Sequence, residues 1–292
     1  MTATFSNNPT ARQFREMLER PGIVRSLGVH DVFTALIAQQ EGLETVFIGG
    51  FGTAASRLGM PDLNLLTLTE MAEAVRRMAT RLHIPVVADG DTGHGGPANL
   101  VRTIKEFESA GAAGILIEDQ VFPKRCGHFQ GEQVISQQEM VAKIRLAVKA
   151  RSNPDFVIIA RTDARQMNGF QVAVARARAC GQAGADCLFI EAPESLEELH
   201  SIPGLLDKPV LANMLTGGAT PIVGVAELDQ MGYKIVVYPV ESLMVTFTAV
   251  RRLARAALDE GCLDGLGEEL ESFAGLKALL GLDDFLKLQD ED

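Results

Sequence analysis

Short, almost uniformly apolar runs alternate along this chain with longer segments whose apolar residues recur every three or four positions. The short runs are IVRSLGVH, TVFIG, IPVVAD, GILIED, FVIIAR, CLFIE, PVLAN and IVVY. They end near His30, Gly49, Asp89, Glu118, Arg161, Glu191, Asn213 and Tyr238. Most are rich in Val, Ile or Leu on both faces, as strands of a parallel sheet buried on two sides are. Between them, LVRTIKEFESAGA places Leu100, Ile104 and Phe107 on one helical face before a glycine stop. VAVARARACGQAGAD and TLTEMAEAVRRMATRLH read the same way, the latter with Thr69 as a helix start. Eight strands alternating with helices predict a (β/α)8 TIM-type barrel, with an open Rossmann-type sheet as the alternative. No linker or repeat interrupts the pattern, so residues 1–292 read as a single α/β-barrel domain. Residues 244–292 form a C-terminal helical extension, more apolar than an eighth helix needs, which predicts that it covers a partner subunit or the barrel bottom.

The chain has 292 residues, 47% of them hydrophobic and 22% charged, which excludes a disordered protein. Acidic residues outnumber Lys and Arg by 38 to 27, a net charge of -11. That argues against nucleic acid, whose binding needs clustered cations, but not against a small anion in a local site. The N-terminal MTATFSNNPTARQFRE lacks an apolar run, and no stretch reaches the ~18 apolar residues of a membrane span. Four cysteines with no CxxC pair read as reduced thiols in a cytoplasmic protein.

The candidate chemistry sits where the strands end. Asp89, Asp91, Glu118, Asp119, Arg161, Asp163, Glu191 and Asn213 each follow an apolar run. A single such residue is usually a helix cap; one at strand after strand predicts a site at the C-terminal mouth of the barrel. Asp89 and Asp91, one residue apart in ADGDTGHGG, make an oxygen-only cluster with Glu118. That donor set suits Mg²⁺, or Mn²⁺, better than Zn²⁺. In KRCGH, Cys126 lies among Lys124, Arg125 and His128, a positive setting that lowers a thiol pKa; a basic surface loop with an incidental cysteine is the alternative. GGFGTA superficially matches a dinucleotide-binding turn, but no acidic residue follows at the right distance. A turn whose amides face an anion is the better reading. Cys180, Cys187 and Cys262 read as structural, as does His30, and His83 and His200 as helix-end residues.

KRCGH after IEDQ, with DGDTG upstream and ARTDA downstream, closely resembles the isocitrate lyase and phosphoenolpyruvate mutase superfamily, in consistent order from Pro21 to Arg251. The resemblance implies a barrel whose eighth helix is exchanged between subunits in a homotetramer, a dimer of dimers. It implies Asp89 as the residue contacting Mg²⁺, with Asp62, Asp91 and Glu118 acting through water. Gly49 and Gly50 match amides that hold a substrate carboxylate, and Arg161 its charged clamp. Cys126 matches the general acid on a gating loop shaped by Lys124, Gly127 and His128. Glu191 and Asn213 match polar residues that complete the pocket.

Departures from that pattern narrow the substrate. Gly49-Gly50-Phe51 stands where methylisocitrate lyases carry Ser-Gly-Gly, and Leu215 where they place a Thr. A carboxylate facing Leu215 would be unpaired, so a third carboxylate is disfavoured and an alkyl group favoured. This resembles the 2,3-dimethylmalate and 2-alkylmalate lyases. Pro239 stands where oxaloacetate hydrolases are expected to carry Ser, and Phe47 where isocitrate-type lyases have Tyr, leaving Glu118, Glu191 or a metal-bound hydroxide as base. The implied activity is Mg²⁺-dependent cleavage of a small 2-hydroxy dicarboxylate to a 2-oxo acid, such as pyruvate, and a carboxylic acid. Methylisocitrate lyase is the nearest rival; an oxaloacetate hydrolase, a phosphonopyruvate-type enzyme, a nicotinamide oxidoreductase and a non-catalytic metabolite-binding barrel stand further off.

Overall fold

A computed structural model describes residues 8–124, 133–259, 263, 266–267 and 270–290. Its eight strands are β1 (Val24–Gly28), β2 (Thr45–Ile48), β3 (Val86–Asp89), β4 (Gly114–Glu118), β5 (Val157–Thr162), β6 (Cys187–Ile190), β7 (Val210–Asn213) and β8 (Ile235–Tyr238). All pair in parallel, each with its sequence neighbour, and β8 closes on β1. The barrel is therefore the closed one, not the open sheet. The helices are α1 (Pro9–Glu19), α2 (Val32–Gln40), α3 (Gly50–Leu58), α4 (Leu68–Ala79), α5 (Pro97–Ala110), α6 (Gln137–Ala150), α7 (Ala164–Asn168), α8 (Phe170–Gln182), α9 (Leu196–Leu205), α10 (Val225–Met231), α11 (Glu241–Asp259), α12 (Phe273–Leu280) and α13 (Leu282–Asp290). None among the described residues is long and apolar enough to cross a membrane.

The strands are buried on both faces, and side-chain parity divides them between two cores. Phe47, Val87, Leu116, Ile159, Phe189, Leu211 and Val237 fill the barrel interior. Their neighbours Ile48, Ala88, Ile117, Ala160, Ile190, Ala212 and Val236 pack outward against the helices. Helix α1 adds Ala11, Phe14, Met17 and Leu18 to the interior group. Phe14 comes close to Gly114 at the start of β4, so α1 closes the N-terminal end of the barrel. The opposite end stays open, and there the inward parity runs on from apolar to polar: Asp89, Glu118, Arg161, Glu191 and Asn213.

Helix α4 starts two residues earlier than the sequence reading places it. Thr67, not Thr69, is the N-cap: its hydroxyl accepts the Glu70 N–H, and the Glu70 carboxylate accepts the Thr67 N–H. That reciprocal pair satisfies two otherwise free amide donors, which Thr69 cannot do from inside the helix. His200 likewise lies within α9 rather than at its end. Helix α11 begins at Glu241, ahead of the Met244 boundary, and runs 19 residues while burying only Ala256. Val245, Phe247, Val250 and Leu258 on it are exposed.

Candidate active site

The open mouth is a cavity of about 590 Å³. Its acidic wall comes from Asp89, Glu118 and Glu191 at the ends of β3, β4 and β6, with Asp62 from the loop after α3. Both oxygens of Asp89 face backbone amides: Oδ1 accepts from Asp91 N–H at 2.9 Å and Oδ2 from Gly50 N–H at 3.4 Å. This fixes the carboxylate that the family resemblance offers to the metal. The amide of GGFGTA thus does face an anion, here a carboxylate of the chain itself. Gly50 is tightly enclosed: a Cβ there would meet Lys124 Nζ at 3.1 Å and Asp62 at 3.2 Å.

Lys124 departs from its expected setting. Its ammonium is buried and bonds Asp62 Oδ2 at 2.7 Å and meets Asp91 Oδ1 at 2.9 Å. Burial alone would depress its pKa, but Asp91, Asp89, Glu118 and Asp62 together hold it well above the usual lysine value. Its charge therefore belongs to the acidic wall. Asp91 does not line the cavity; it sits behind Lys124 in a left-handed backbone conformation (φ 49°). Burial pushes its carboxyl up to about 7, against the pull of Lys124 and with the push of Asp89 and Asp62. Cys126, Gly127 and His128 lie outside the described residues. The base of their segment is described: Val121 N–H bonds Gln133 O at 2.7 Å and Ile135 N–H bonds Asp119 O at 2.9 Å, pinning its two ends side by side.

Arg161 faces this wall from β5. Asp163 grips its guanidinium through two bonds, Nε to Oδ2 at 3.0 Å and Nη2 to Oδ1 at 2.6 Å. Glu191 stands 3.1 Å and Glu118 3.6 Å away, and the ring of Phe189 lies under the guanidinium at 5.5 Å. Burial by itself would weaken its hold on the proton, but Asp163, Glu191 and Glu118 reverse that, and its pKa is raised. Glu191 is held in turn by Ala192 N–H at 3.1 Å and Asn213 Nδ2 at 3.4 Å. The rest of the predicted pocket is present at the rim: Gly49, Gly50 and Phe51 after β2, Leu215 after β7 and Pro239 after β8.

One supporting network was not read from the sequence. Asp119 and Thr162 follow Glu118 and Arg161 and so have the outward parity. Asp119 accepts from Thr162 Oγ1 at 2.7 Å, Asp163 N–H at 2.9 Å and Arg176 Nη1 at 3.0 Å. Arg176 lies on the buried face of α8 with Ala173, Ala177 and Cys180. A lone arginine at i+3 beside an apolar i, i+4, i+7 stripe (Ala173, Ala177, Cys180) was the available signal, since such a charge must have a buried partner. His94 is a second omission. Neither ring nitrogen has a hydrogen-bond partner, Nε2 stands 3.7 Å from Asp91 Oδ2, and burial keeps the ring neutral by lowering its pKa.

The site fits a divalent cation. Among the described residues Lys124 pairs with Asp62 and Asp91, and Arg161 with Glu118, Asp163 and Glu191, while Lys143 reaches the Glu118 carbonyl; Glu118 Oε1 is buried without a hydrogen-bond partner. Among the described residues no three carboxylates, histidines or cysteines converge as a closed cage. Mg²⁺ does not require one, because it keeps several waters and takes one or two carboxylates directly.

Residues 14–258 match the phosphoenolpyruvate phosphomutase family. The chain belongs to that family. It is 42% identical over 274 residues to a 2,3-dimethylmalate lyase of Eubacterium barkeri, covering 94% of this chain and 95% of the relative. To a 2-methylisocitrate lyase of Aeropyrum pernix it is 41% identical, covering 95% and 89%. Among solved structures, 2,3-dimethylmalate lyase, described as a PEP mutase/isocitrate lyase superfamily member, superposes with a TM-score of 0.89 at 36% identity, covering 97% and 95%. Oxaloacetate acetylhydrolase bound to 3,3-difluorooxalacetate superposes with a TM-score of 0.91 at 32% identity, covering 97% of each chain. Proteins of different named activities thus share this barrel, so the pocket residues must discriminate.

Proposed function

We propose that this protein is a carbon–carbon lyase that cleaves a 2-hydroxy dicarboxylate of the 2,3-dimethylmalate or 2-alkylmalate type to a 2-oxo acid and a carboxylic acid. The observation that carries this reading is the cavity's two-sided wall: a carboxylate cluster and Arg161 on one side, Phe51, Leu215 and Pro239 on the other. Asp89, with Asp62 and Glu118 beside it and Asp91 behind Lys124, would hold Mg²⁺, and the ion would supply Lewis acidity that makes the C2 hydroxyl easier to deprotonate. Glu118 fits the base better than Glu191. Its Oε1 is free of hydrogen bonds and burial pushes its pKa well up, whereas Glu191 is already held by Ala192 and Asn213. The hydroxyl proton goes to the base, the O–H electrons form the 2-oxo group, and the C2–C3 pair moves onto the second carboxylate as an enediolate. Arg161 and the amide at Gly49 stabilise that dianion, the Gly50 amide being turned to Asp89. Cys126 then gives its proton to C3.

Methylisocitrate lyase is the second reading, favoured by the 41% identity to the Aeropyrum pernix enzyme. It requires a third carboxylate to be accepted beside Leu215 and Phe51, where no cation stands among the described residues. Release of 2-oxo acid from 2,3-dimethylmalate, 2-methylmalate, 2-methylisocitrate, isocitrate and oxaloacetate, with Mg²⁺ and with chelator, separates the readings. Metal-dependent pyruvate from the alkylmalates is the expected result; preference for 2-methylisocitrate overturns the substrate assignment, and silence overturns the lyase reading. Cys126→Ser is expected to lower turnover at least about 100-fold while leaving product binding in place. Equal turnover in that variant removes Cys126 from the mechanism.

We further propose a cytoplasmic homotetramer, a dimer of dimers, in which α11 and the helices after it pack on a partner subunit. The exposed apolar face of α11 supports this assembly.

A further inference from the structure

Polar and apolar groups divide the barrel mouth by strand. Asp89, Glu118, Arg161 and Glu191 come from β3 to β6, four consecutive strands of the closed sheet. The facing arc runs from the end of β7, where Asn213 and Thr216 are its polar members, across β8 to the end of β2, and presents Leu215, Pro239, Val240, Leu243, Met244 and Phe51. Leu243 and Met244 belong to the first turn of α11, which the Ser242 hydroxyl ties to Gly28 O at 2.6 Å, so this part of the helix stays with its own barrel.

The cavity exceeds what a six-carbon substrate fills. Dimethylmalate has about 11 non-hydrogen atoms; even at the roughly 30 Å³ that a water molecule occupies, it takes up about 330 Å³. About 260 Å³ of the 590 Å³ is then left for the metal, its waters and further substrate atoms. Asp89 and Glu118 would take the metal end and Arg161 the second carboxylate, so the room open to a side chain on C3 borders the apolar arc.

We infer that the arc of Leu215, Pro239, Val240, Leu243 and Met244 is a subsite for an alkyl chain of about three to five carbons on C3 of the substrate. This rests on the lyase reading. C2 carries the hydroxyl and the carboxylate held by the β3–β4 side, so C3 is the next carbon toward the opposite wall. The second product is then R–CH2–COO⁻, a carboxylic acid of about five to seven carbons rather than propionate.

The test is a series of 2-methyl-3-alkylmalates bearing methyl, propyl and pentyl groups. All yield pyruvate, so one assay reads the whole series. Burial of each methylene is expected to raise kcat/KM about threefold along the series. Leu243→Asp, which sets a charge into the arc from a half-buried position, is expected to flatten that rise. A kcat/KM that falls from methyl to propyl, with the methyl compound cleaved, overturns the subsite and leaves the lyase reading standing. A rise that Leu243→Asp does not flatten also overturns the assignment of this arc. No pyruvate from any member overturns the lyase reading and the subsite with it.

Discussion

Side-chain parity is what turns a row of strand-end residues into a site. Asp89, Glu118, Arg161, Glu191 and Asn213 share the inward parity, whereas Asp119 and Thr162 point out toward α8. The sequence listing of polar strand ends treats Asp119 and Asp163 alike, yet they act at different depths. Asp163 grips Arg161 directly, and Asp119 holds the Asp163 amide from behind. Asp163→Asn leaves a neutral partner on one side of Arg161, and a 10- to 100-fold drop in kcat/KM is expected, measured by steady-state kinetics with little change in melting temperature. Lys124 makes a second case. Buried beside Asp62 and Asp91, it is the counter-charge that lets those carboxylates stay together. Lys124→Met strands them, and a loss of about 3 kcal/mol is expected in chelator, partly recovered when Mg²⁺ is added; thermal melting under both conditions checks it.

At the scale of elements, the mouth depends on how closely β1 approaches the end of β8. A Cβ on Gly28 would come 1.9 Å from the Pro239 carbonyl oxygen, far inside contact distance. The backbone must move to admit it, so Gly28→Ala is expected to cost about 3 kcal/mol and to lower kcat/KM as Pro239 shifts. Gly204 in α9 has nothing within 4 Å of its Cβ position, so Gly204→Ala is the matched control. A neutral or slightly stabilising effect is expected there, since alanine reduces unfolded-state freedom. Chemical denaturation of both variants separates the two outcomes. The strands were legible because each is a continuous apolar run. The start of α4 was misplaced by two residues because two threonines stand close together, and only the hydrogen bonds with Glu70 distinguish them.

For the whole molecule, the contrast between α11 and the other long helices is the main feature. α4 and α5, at 12 and 14 residues, each bury five residues, while α11 buries one of nineteen. Light scattering is expected to give about four times the chain mass of 31.4 kDa. Leu258→Glu, on a residue 84% exposed in the single chain, is expected to lower that mass without unfolding the barrel. An unchanged mass would place the oligomer contact elsewhere.

The order of strands and helices and the strand-end carboxylates were determined by local pattern: burial on both faces demands apolar runs, and chemistry demands polar residues where those runs stop; closure of the sheet was decided by the pairing of β8 with β1. Which polar residues face the cavity, which stand behind them, and where the Lys124 charge goes were decided only by the tertiary structure. Those properties depend on parity, helix packing and distances between residues such as Asp62 and Lys124, 62 positions apart. The same is true of the apolar arc opposite the acids, since it joins β2, β7, β8 and α11, which become neighbours only when the barrel closes.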